Sequence, residues 1–335
     1  MKRYTWGAVA VGAAVALVTS ACSSSHGSNP SGKSGGGSSS MEIAIPANSA
    51  AASFIQLAVA AGLTKKHGVD VTLNTSITPP NTPAALVSGS IQGSALTSTA
   101  TQANGKGLPV INVVNTGTHA PFVMLGGPDI KSVNDLDGKK VVTSAPTDTP
   151  GTETVRILKN AGVDAQIVSV ASVPGRSALF VSGQADAVYE ALNLALKDQA
   201  KRPGSTIIGD NTNLAVTPAD GIAVTKTYLA SHRSAVNGLV TACIEAANMM
   251  KNQPAQATPY LEKIYDLNAS EVAQFLDRQK ASLVTNGVPT EEAYANQAEL
   301  FNAQPKQSVD WTAGKVQASW DTSLAVAAAK TLGFS

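Results

Sequence analysis

Short apolar runs alternate with segments of helical spacing over the first two thirds of the chain. Residues 41–45 form an apolar run typical of a strand, and apolar side chains recur at helical spacing across residues 49–61. The same alternation predicts strands at residues 69–73, 94–97, 109–114, 140–143, 166–170 and 185–189. Helices are predicted between them at residues 84–87, from residue 100, and at residues 150–160, 174–182 and 192–200. This order predicts an α/β fold with mainly parallel strand pairing.

The pattern changes after Lys226, where helical spacing is no longer interrupted by strand-like runs. Helices are predicted at residues 234–251, 256–265, 269–283 and 314–330. The topology must therefore accommodate an α/β region followed by a helical C-terminal segment.

The first residues are typical of an export signal. Lys2 and Arg3 precede an apolar run over residues 6–18, which is too short for a comfortable transmembrane helix. The run ends in Thr-Ser-Ala-Cys, residues 19–22, which resembles the bacterial lipobox although Thr19 stands where leucine is usual. We expect residues 1–21 to be removed and Cys22 to be acylated, which would anchor the protein to the outer face of the cell membrane. An ordinary cleaved signal is the alternative.

Residues 22–40 are predicted to form a flexible tether. They are rich in Ser and Gly and contain no aliphatic residue after Cys22, so they cannot fold by burying apolar surface. We expect the globular part to start near Met41.

Composition excludes some partners. Lys plus Arg number 24 against 23 Asp plus Glu, so a basic stripe for nucleic acid is not expected. Aromatic residues make up 4%, too few for a stacked carbohydrate platform. His67, His119 and His232 are scattered without metal-site spacing, and no Gly-x-Ser-x-Gly elbow is present. We expect no cofactor, no metal and no enzymatic activity, with an exported hydrolase left as the alternative from a different class.

Four segments resemble, in the same order, motifs of one transport family. They are AGLTKKHGVDV at residues 61–71, ALVSG at 85–89, IKSVNDLDGKKV at 130–141 and ALFVSGQADA at 178–187. Together they are similar to the solute-binding proteins of ABC importers in the nitrate/sulfonate/taurine group, which also includes binders of a thiamine pyrimidine precursor. The resemblance spans about residues 42–227.

The resemblance implies a two-lobed clam of the type II periplasmic-binding class, with the ligand between the lobes. The first lobe would comprise residues 41–116 plus 222–335 and the second residues 122–213, with hinges near 116–123 and 214–222. The implied partners are a small solute and an ABC permease, and a monomer is expected. A ligand-sensing lipoprotein that partners a receptor is a third possibility.

Candidate ligand residues lie where predicted strands end and helices begin, because the first turn of a helix has unpaired amides. These residues are Asn48, Ser49, Thr97, Ser98, Thr99, Ser144, Asp148, Thr149, Gly151, Thr152, Arg176, Glu190 and Asp220.

Several of these residues have a structural alternative. Ser49 is as suited to capping a helix, and Thr149 is predicted to cap the helix that begins with Pro150. Thr149 and Asp148 could satisfy the amides that an anion would use. Arg176 could lie on a solvated face, and Asp220 could belong to an ordinary turn. Glu190 falls where the family often has Glu-Pro, but Ala191 replaces the proline.

The charges in these loops favour a ligand with a positive or N–H-bearing group. Asp148, Glu153, Glu190 and Asp220 oppose the single Arg176, and an acid buried beside an anion is costly. We therefore expect an amine, a zwitterionic aminosulfonate such as taurine, or a small nitrogen heterocycle. A simple anion such as nitrate or an alkylsulfonate is the alternative.

Overall fold

The computed structural model describes residues 39–47, 49–145, 148–304 and 308–334. The predicted signal and Cys22 therefore lie outside the described residues, as does Asn48. The described chain contains ten strands in two sheets. The strands are β1 (Ser39–Ala44), β2 (Val69–Asn74), β3 (Gly93–Ser94), β4 (Val110–Gly117), β5 (Phe122–Gly126), β6 (Lys140–Thr143), β7 (Gln166–Ser169), β8 (Ala187–Ala191), β9 (Thr206–Asp210) and β10 (Asp220–Thr225).

Fourteen α-helices surround the sheets in the described ranges. They are α1 (Ser53–Ala60), α2 (Leu63–Lys66), α3 (Thr82–Ser88), α4 (Thr97–Gly105), α5 (Thr149–Ala161), α6 (Val173–Val181), α7 (Leu192–Lys201), α8 (Lys226–Ser231), α9 (Arg233–Asn252), α10 (Pro254–Tyr265), α11 (Ala269–Gln279), α12 (Glu291–Asn302), α13 (Ala313–Gln317) and α14 (Ser323–Leu332). Three 3₁₀ turns, at Ala50–Ala52, Pro79–Asn81 and Val133–Leu136, complete the connections. None of the helices described is long and apolar enough to cross a bilayer.

The first sheet is discontinuous in sequence. Its order is β2-β1-β3-β10-β4, so β10 enters between strands that precede it by a long stretch of chain. β1 pairs in parallel with β2 and β3, whereas β10 is antiparallel to both β3 and β4. The fully buried strand β4 packs against α9, which lies along the same core with α1 and α14.

The second sheet is built from consecutive chain, in the order β7-β6-β8-β5-β9. β6 pairs in parallel with β7 and β8, and β5 is antiparallel to β8 and β9. Helix α5 covers the face of the sheet on which Tyr189 of β8 lies. Helices α6 and α7 cover the opposite face, on which Val188 lies.

The two sheets with their helices are the α/β type II periplasmic-binding architecture that the sequence predicted. The expectation of mainly parallel pairing was wrong, because four of the eight strand pairs described are antiparallel. The antiparallel pairs all involve β5 or β10. These are the strands that enter a sheet directly from the other sheet, without the crossover helix that makes neighbouring strands parallel.

Two chain segments join the sheets: residues 118–121 between β4 and β5, and residues 211–219 between β9 and β10. They bond to each other through Thr217 N to Thr118 O (3.0 Å) and His119 Nε2 to Leu214 O (3.1 Å). A third segment, residues 282–287, runs beside the first, where Thr118 N donates to Ser282 O (2.9 Å). The connections overlap the segments 116–123 and 214–222 predicted as hinges, although residues 220–222 belong to β10, and their role as hinges remains a proposal.

Other boundaries differ from the sequence prediction. β1 begins at Ser39, inside the predicted tether. The single helix predicted over residues 314–330 is two helices, α13 and α14, because Trp320 between them pairs with Asn112 of β4. Cys243 is fully buried in α9 as a small core residue, and burial raises the pKa of its thiol.

Candidate functional site

A polar layer lies between the two sheets, at the ends of their strands. The backbone amide of Ala50 donates to Asn193 Oδ1 of α7 at 3.1 Å, which links the segment after β1 to the segment after β8. Two ion pairs also join the sheets' helices and strands, Lys197 to Asp266 at 3.1 Å and Arg278 to Asp210 at 3.8 Å. The candidate site is therefore enclosed by elements of both sheets.

Asp220 is the first residue of β10 and points into this layer. A β-bulge between Asp220 and Gly221 sets its direction, and Gly221 fits there because a Cβ would overlap the Val114 carbonyl. Gly117 lies below the side chain, where a Cβ would come within 2.8 Å of Asp220 Oδ2. The sequence alternative of an ordinary turn is wrong, since Asp220 belongs to a strand and is 5% exposed.

The Asp220 carboxyl group receives no hydrogen bond from any described residue. Burial raises its pKa well above the ordinary value, and the negative charge of Glu153 raises it further. A buried carboxylate without a donor is costly. Its environment therefore favours either a proton or a cationic donor at this position.

Glu153 reaches the same layer from the second sheet, on the second turn of α5. Tyr189 Oη donates to its Oε2 at 2.7 Å, and Asn211 Nδ2 donates to its Oε1 at 3.2 Å. Burial nevertheless raises the pKa of Glu153 to about 7, because desolvation outweighs these bonds and the charge of Arg156. We call Asp220 and Glu153 the interface acid pair.

Aromatic and hydroxyl groups flank the interface acid pair. Tyr265, at the end of α10, donates to Gln56 Oε1 at 2.6 Å, and burial followed by the charge of Asp220 raises the pKa of its phenol. Thr97 Oγ1 lies 3.1 Å from both Pro218 O and Ala219 O, immediately before Asp220. The structure thus brings together Thr97 and Asp220, which the sequence predicted separately.

A second acidic cluster lies deeper, between the second sheet and helices α6 and α7. Glu190 is 1% exposed, and neither of its carboxylate oxygens has a hydrogen-bond partner among the residues described. Asp198 of α7 is near it and accepts a 3.0 Å bond from Lys201 Nζ. Burial raises the pKa of Glu190 to about 8, with a further rise from Asp198 and opposing effects from Arg176 and Lys201. We call Glu190 and Asp198 the inner acid pair.

Arg176 is buried beside the inner acid pair, so the alternative of a solvated face was wrong. Its Nη1 donates to the carbonyls of Val170 (2.9 Å) and Ala171 (3.2 Å) at the end of β7. The charges of Glu190 and Asp148 stabilise the guanidinium, although burial lowers its pKa overall. Its Nε is buried without a partner in the described part of the chain.

The loop after β6 satisfies its own amides. Asp148, not Thr149, caps α5, and Pro150 is the second helical residue rather than the first. Asp148 Oδ1 accepts from Gly151 N (3.0 Å) and from Ser144 Oγ (2.5 Å). Asp148 caps the helix in place of Thr149 because its carboxylate accepts from both donors at once. The Gly151 amide is therefore occupied by Asp148, as the structural alternative anticipated.

The remaining predicted residues occupy helix starts. Ser49 caps the 3₁₀ turn that follows β1, accepting from Ala51 N at 3.2 Å. Ser98 and Thr99 lie half-buried in the first turn of α4, and Thr152 Oγ1 donates to Asp148 O at 2.8 Å. Sequence reasoning did not place Tyr265, Gln56, Asn193 or Asn211 in the site. No local motif marks them, since each acts through a partner distant in sequence.

The chain belongs to the NMT1/THI5-like family, whose model matches residues 50–257. The alkanesulfonate-binding protein SsuA from Xanthomonas axonopodis pv. citri, solved with MOPS, has a similar fold: TM-score 0.67, 16% identity, covering 85% of this chain and 99% of that one. The periplasmic nitrate-binding protein NrtA from Synechocystis PCC 6803 gives TM-score 0.68 and 15% identity over 88% of this chain and 89% of that one.

A DszB variant in complex with biphenyl-2-sulfinic acid is also similar, with TM-score 0.65 and 12% identity over 88% of this chain and 99% of that one. No curated protein sequence matches the chain. At these identities the similar structures establish the α/β fold with its two sheets, and the ligand has to be argued from this chain's own residues.

Proposed function

We propose that the protein is an extracytoplasmic receptor that binds a small organic solute and delivers it to an ABC permease. The family, the two-sheet architecture and the similarity to sulfonate- and nitrate-binding proteins support a solute-binding role. An acyl group on Cys22 would hold the receptor at the membrane. Residues 41–116 with 222–335 would form one lobe and residues 122–213 the other, closing about the two connecting segments.

The proposed solute carries an amine or another N–H-bearing cationic group. The observation that carries this proposal is the carboxyl group of Asp220, which is buried without a donor from the described residues at the start of β10. An anionic solute at this position would be disfavoured beside these buried acids, whereas an ammonium group would donate to the Asp220 carboxyl group and favour its ionised form. An aminosulfonate, an aliphatic amine or an amino heterocycle fits this requirement.

Calorimetry with a panel of solutes tests the ligand class. Nitrate, sulfate, an alkylsulfonate, taurine, an aliphatic amine and an aminopyrimidine would be titrated into the protein lacking residues 1–21. We expect binding among the amine-bearing members. Tight binding of nitrate or the alkylsulfonate, without response to any amine, would contradict the amine and leave the receptor role standing.

Turnover measurements test the receptor role, and membrane retention tests the lipid anchor. A receptor returns its solute unchanged, so product formation beyond one equivalent would instead establish an enzyme such as the exported hydrolase.

We expect Cys22→Ser to release the protein from the membrane fraction, with Cys243→Ser as the matched control that stays bound. Equal retention of both variants would contradict the lipid anchor.

A further inference from the structure

We propose that an open cavity at the opposite end of the first sheet from Asp220 contacts anionic phospholipid headgroups and orients the protein on the membrane. The cavity measures about 310 Å³, and it is lined by Ile111, Lys226, Leu229, Ala230, Arg233 and Asp321. We call it the distal cavity. Contact with lipid at this cavity goes beyond solute binding and needs neither a solute nor a permease.

The position of the distal cavity follows from the direction of the strands. β10 begins with Asp220 in the candidate site and ends with Thr225, directly before Lys226. A strand rises about 3.4 Å per residue, so the two ends of β10 are about 17 Å apart. Thr225 pairs with Val110, the first residue of β4, and Lys226 N donates to Pro109 O at 2.8 Å. The distal cavity therefore lies beside the start of β4, at the far end of β10 from the candidate site.

The chain enters the globular part at the same end of the sheet. β1 is parallel to β3, and β10 is antiparallel to both β3 and β4, so β1 and β4 run in one direction. Ser39, where β1 begins, therefore lies at the end of the sheet at which β4 begins. A flexible chain of about 16 residues has a root-mean-square length of about 22 Å. The predicted tether between Cys22 and Ser39 would thus keep this end of the sheet near the bilayer.

The rim of the distal cavity is cationic. Neither Lys226 nor Arg233 forms an ion pair with a described residue, and Arg233 Nη2 donates to the neutral Ser323 Oγ at 3.2 Å. Asp321 is the one acid in the lining, and its Oδ1 accepts from Ser323 N at 3.1 Å. The lining therefore has a net positive charge, and both of its cations are exposed and open to an anionic group from outside the chain.

The floor of the distal cavity is apolar. Ile111 and Leu229 line it and are 6% and 7% exposed, and Ala230 lies exposed at its edge. A phospholipid combines a phosphate for the two cations with an apolar glycerol and acyl region for this floor, whereas a free inorganic anion would leave the floor in water. An acidic protein has the same charge as such a lipid, but the entry of the chain at this end favours the membrane.

The strength expected of this contact is modest. Each Lys or Arg near an anionic membrane increases binding roughly fivefold, so Lys226 and Arg233 together contribute roughly thirtyfold, and salt weakens the effect. The proposed acyl group on Cys22 would therefore remain the anchor. The distal cavity would set the orientation, with the candidate site on the side of the first sheet that faces away from the bilayer.

Sedimentation with vesicles tests the lipid contact without the anchor. The chain from residue 22 onwards, with Cys22→Ser, would be mixed at low salt with vesicles of phosphatidylcholine, or of phosphatidylcholine and phosphatidylglycerol in equal parts. We expect binding to the anionic vesicles alone, weakened roughly thirtyfold by Lys226→Gln combined with Arg233→Gln. Lys131→Gln combined with Lys159→Gln removes the same charge from exposed positions after β5 and on α5. This matched control should bind within about threefold of the native protein.

The outcomes of this experiment separate the possible occupants. Equal losses in the two double variants would overturn the proposal, because net charge alone would then explain the attraction. Binding of inorganic phosphate without binding to vesicles would overturn it in favour of a free anion. Binding of neither would overturn it and leave an acidic protein as the occupant. Lys226→Arg keeps the charge and should retain binding to the anionic vesicles.

Fluorescence quenching tests the orientation in the acylated protein on the same anionic vesicles. Thr227→Cys, beside the distal cavity, and Val155→Cys, on α5 of the second sheet, place a fluorescent label at exposed positions, while Cys243 is fully buried. We expect a quencher carried by the lipids to reduce the emission of the label at Thr227→Cys and to leave that at Val155→Cys unchanged. Equal quenching of the two labels would overturn the orientation. The orientation experiment relies on the proposed acyl group, whereas the sedimentation experiment does not, and neither depends on which solute binds.

Discussion

The interface acid pair and the inner acid pair consist of the same two residue types in different surroundings. Glu190 and Asp198 lie within one sheet's helical layer, close to Arg176 and Lys201, whose charges act on Glu190. Asp220 and Glu153 come from different sheets and have no ion-paired cation among the described residues. Arg176 and Lys201 act to lower the pKa of Glu190, but burial and Asp198 still raise it to about 8. The proposed cationic group of the solute would supply a charge that no described ion pair supplies to Asp220.

The largest effect is expected when Arg176, a cation beside the inner acid pair, is removed. Arg176→Met should lower the free energy of unfolding at neutral pH by about 2–4 kcal/mol, because the carbonyls of Val170 and Ala171 lose a buried charged donor and Glu190 loses a cation that lowers its pKa. Chemical denaturation measures this. Arg176→Met combined with Glu190→Gln should recover part of the loss, and a purely additive double variant would contradict the coupling.

The pH dependence of the free energy of unfolding distinguishes the two pairs through Glu153 of the interface acid pair and Glu190 of the inner acid pair. The folded-state pKa of Glu153 is raised from 4.5 to about 7, so the folded protein holds this proton more tightly than the unfolded chain. Its contribution is fully present below pH 4.5 and is lost as the pH rises through about 7, a total of about 3 kcal/mol.

Unfolding of the native protein, Glu153→Gln and Glu190→Gln across this range checks the prediction. Glu153→Gln should remove the loss that ends near pH 7, and Glu190→Gln the one that ends near pH 8. Stability that rises with pH in the native protein would contradict the raised pKa of both groups.

Solute affinity sharpens the difference further. Asp220→Asn should weaken binding of an amine-bearing solute at least about thirtyfold, since a buried partner of the charge is removed. Glu190→Gln is the matched control, with an expected change below about threefold because Glu190 lies in the second sheet, between α6 and α7, and not beside Asp220. The sequence also predicted Glu190 as a ligand residue, and an equal loss in both variants would support that assignment.

The smallest effect is expected at the ion pair between Lys197 and Asp266, which also joins the two sheets' helices. The Asp266 side chain is 97% exposed, so water screens the pair. Lys197→Met should change stability by no more than about 0.5 kcal/mol in thermal or chemical unfolding. A loss of several kcal/mol would mean that exposed contacts, rather than buried groups, hold the sheets together.

Sequence pattern predicted the fold where neighbouring residues decide the structure. β6 was located at residues 140–143, as observed, because its apolar run is bounded by Gly138 and Ser144. β9 was missed because Thr206–Asp210 is a partly exposed edge strand without a distinctive apolar run. α12 was also missed. Its buried face packs against Trp311 and Trp320, which lie outside the short stretch of sequence from which a helix is predicted.

The sequence proposes candidate site residues one by one, but it does not give their arrangement. Asp220 and Thr97 stood out at strand ends, and the acid-rich composition of the loops indicated the favoured charge of the solute. Which acids influence one another was not accessible, because Glu153 and Asp220 belong to different sheets and are distant in sequence. The environment of Tyr265 depends in the same way on the return of the helical C-terminal segment to the first sheet.

The interrupted first sheet also has a consequence for the order of folding. All strands of the second sheet lie within residues 122–210. In the first sheet, the strand between β3 and β4 is β10, which comes from the distant residues 220–225. Contacts between segments close in sequence form at a lower entropic cost, so the second sheet should form before the first is complete. Pulse-labelled hydrogen exchange during refolding should protect β6 and β8 before β4, and protection of all three in one phase would contradict this order.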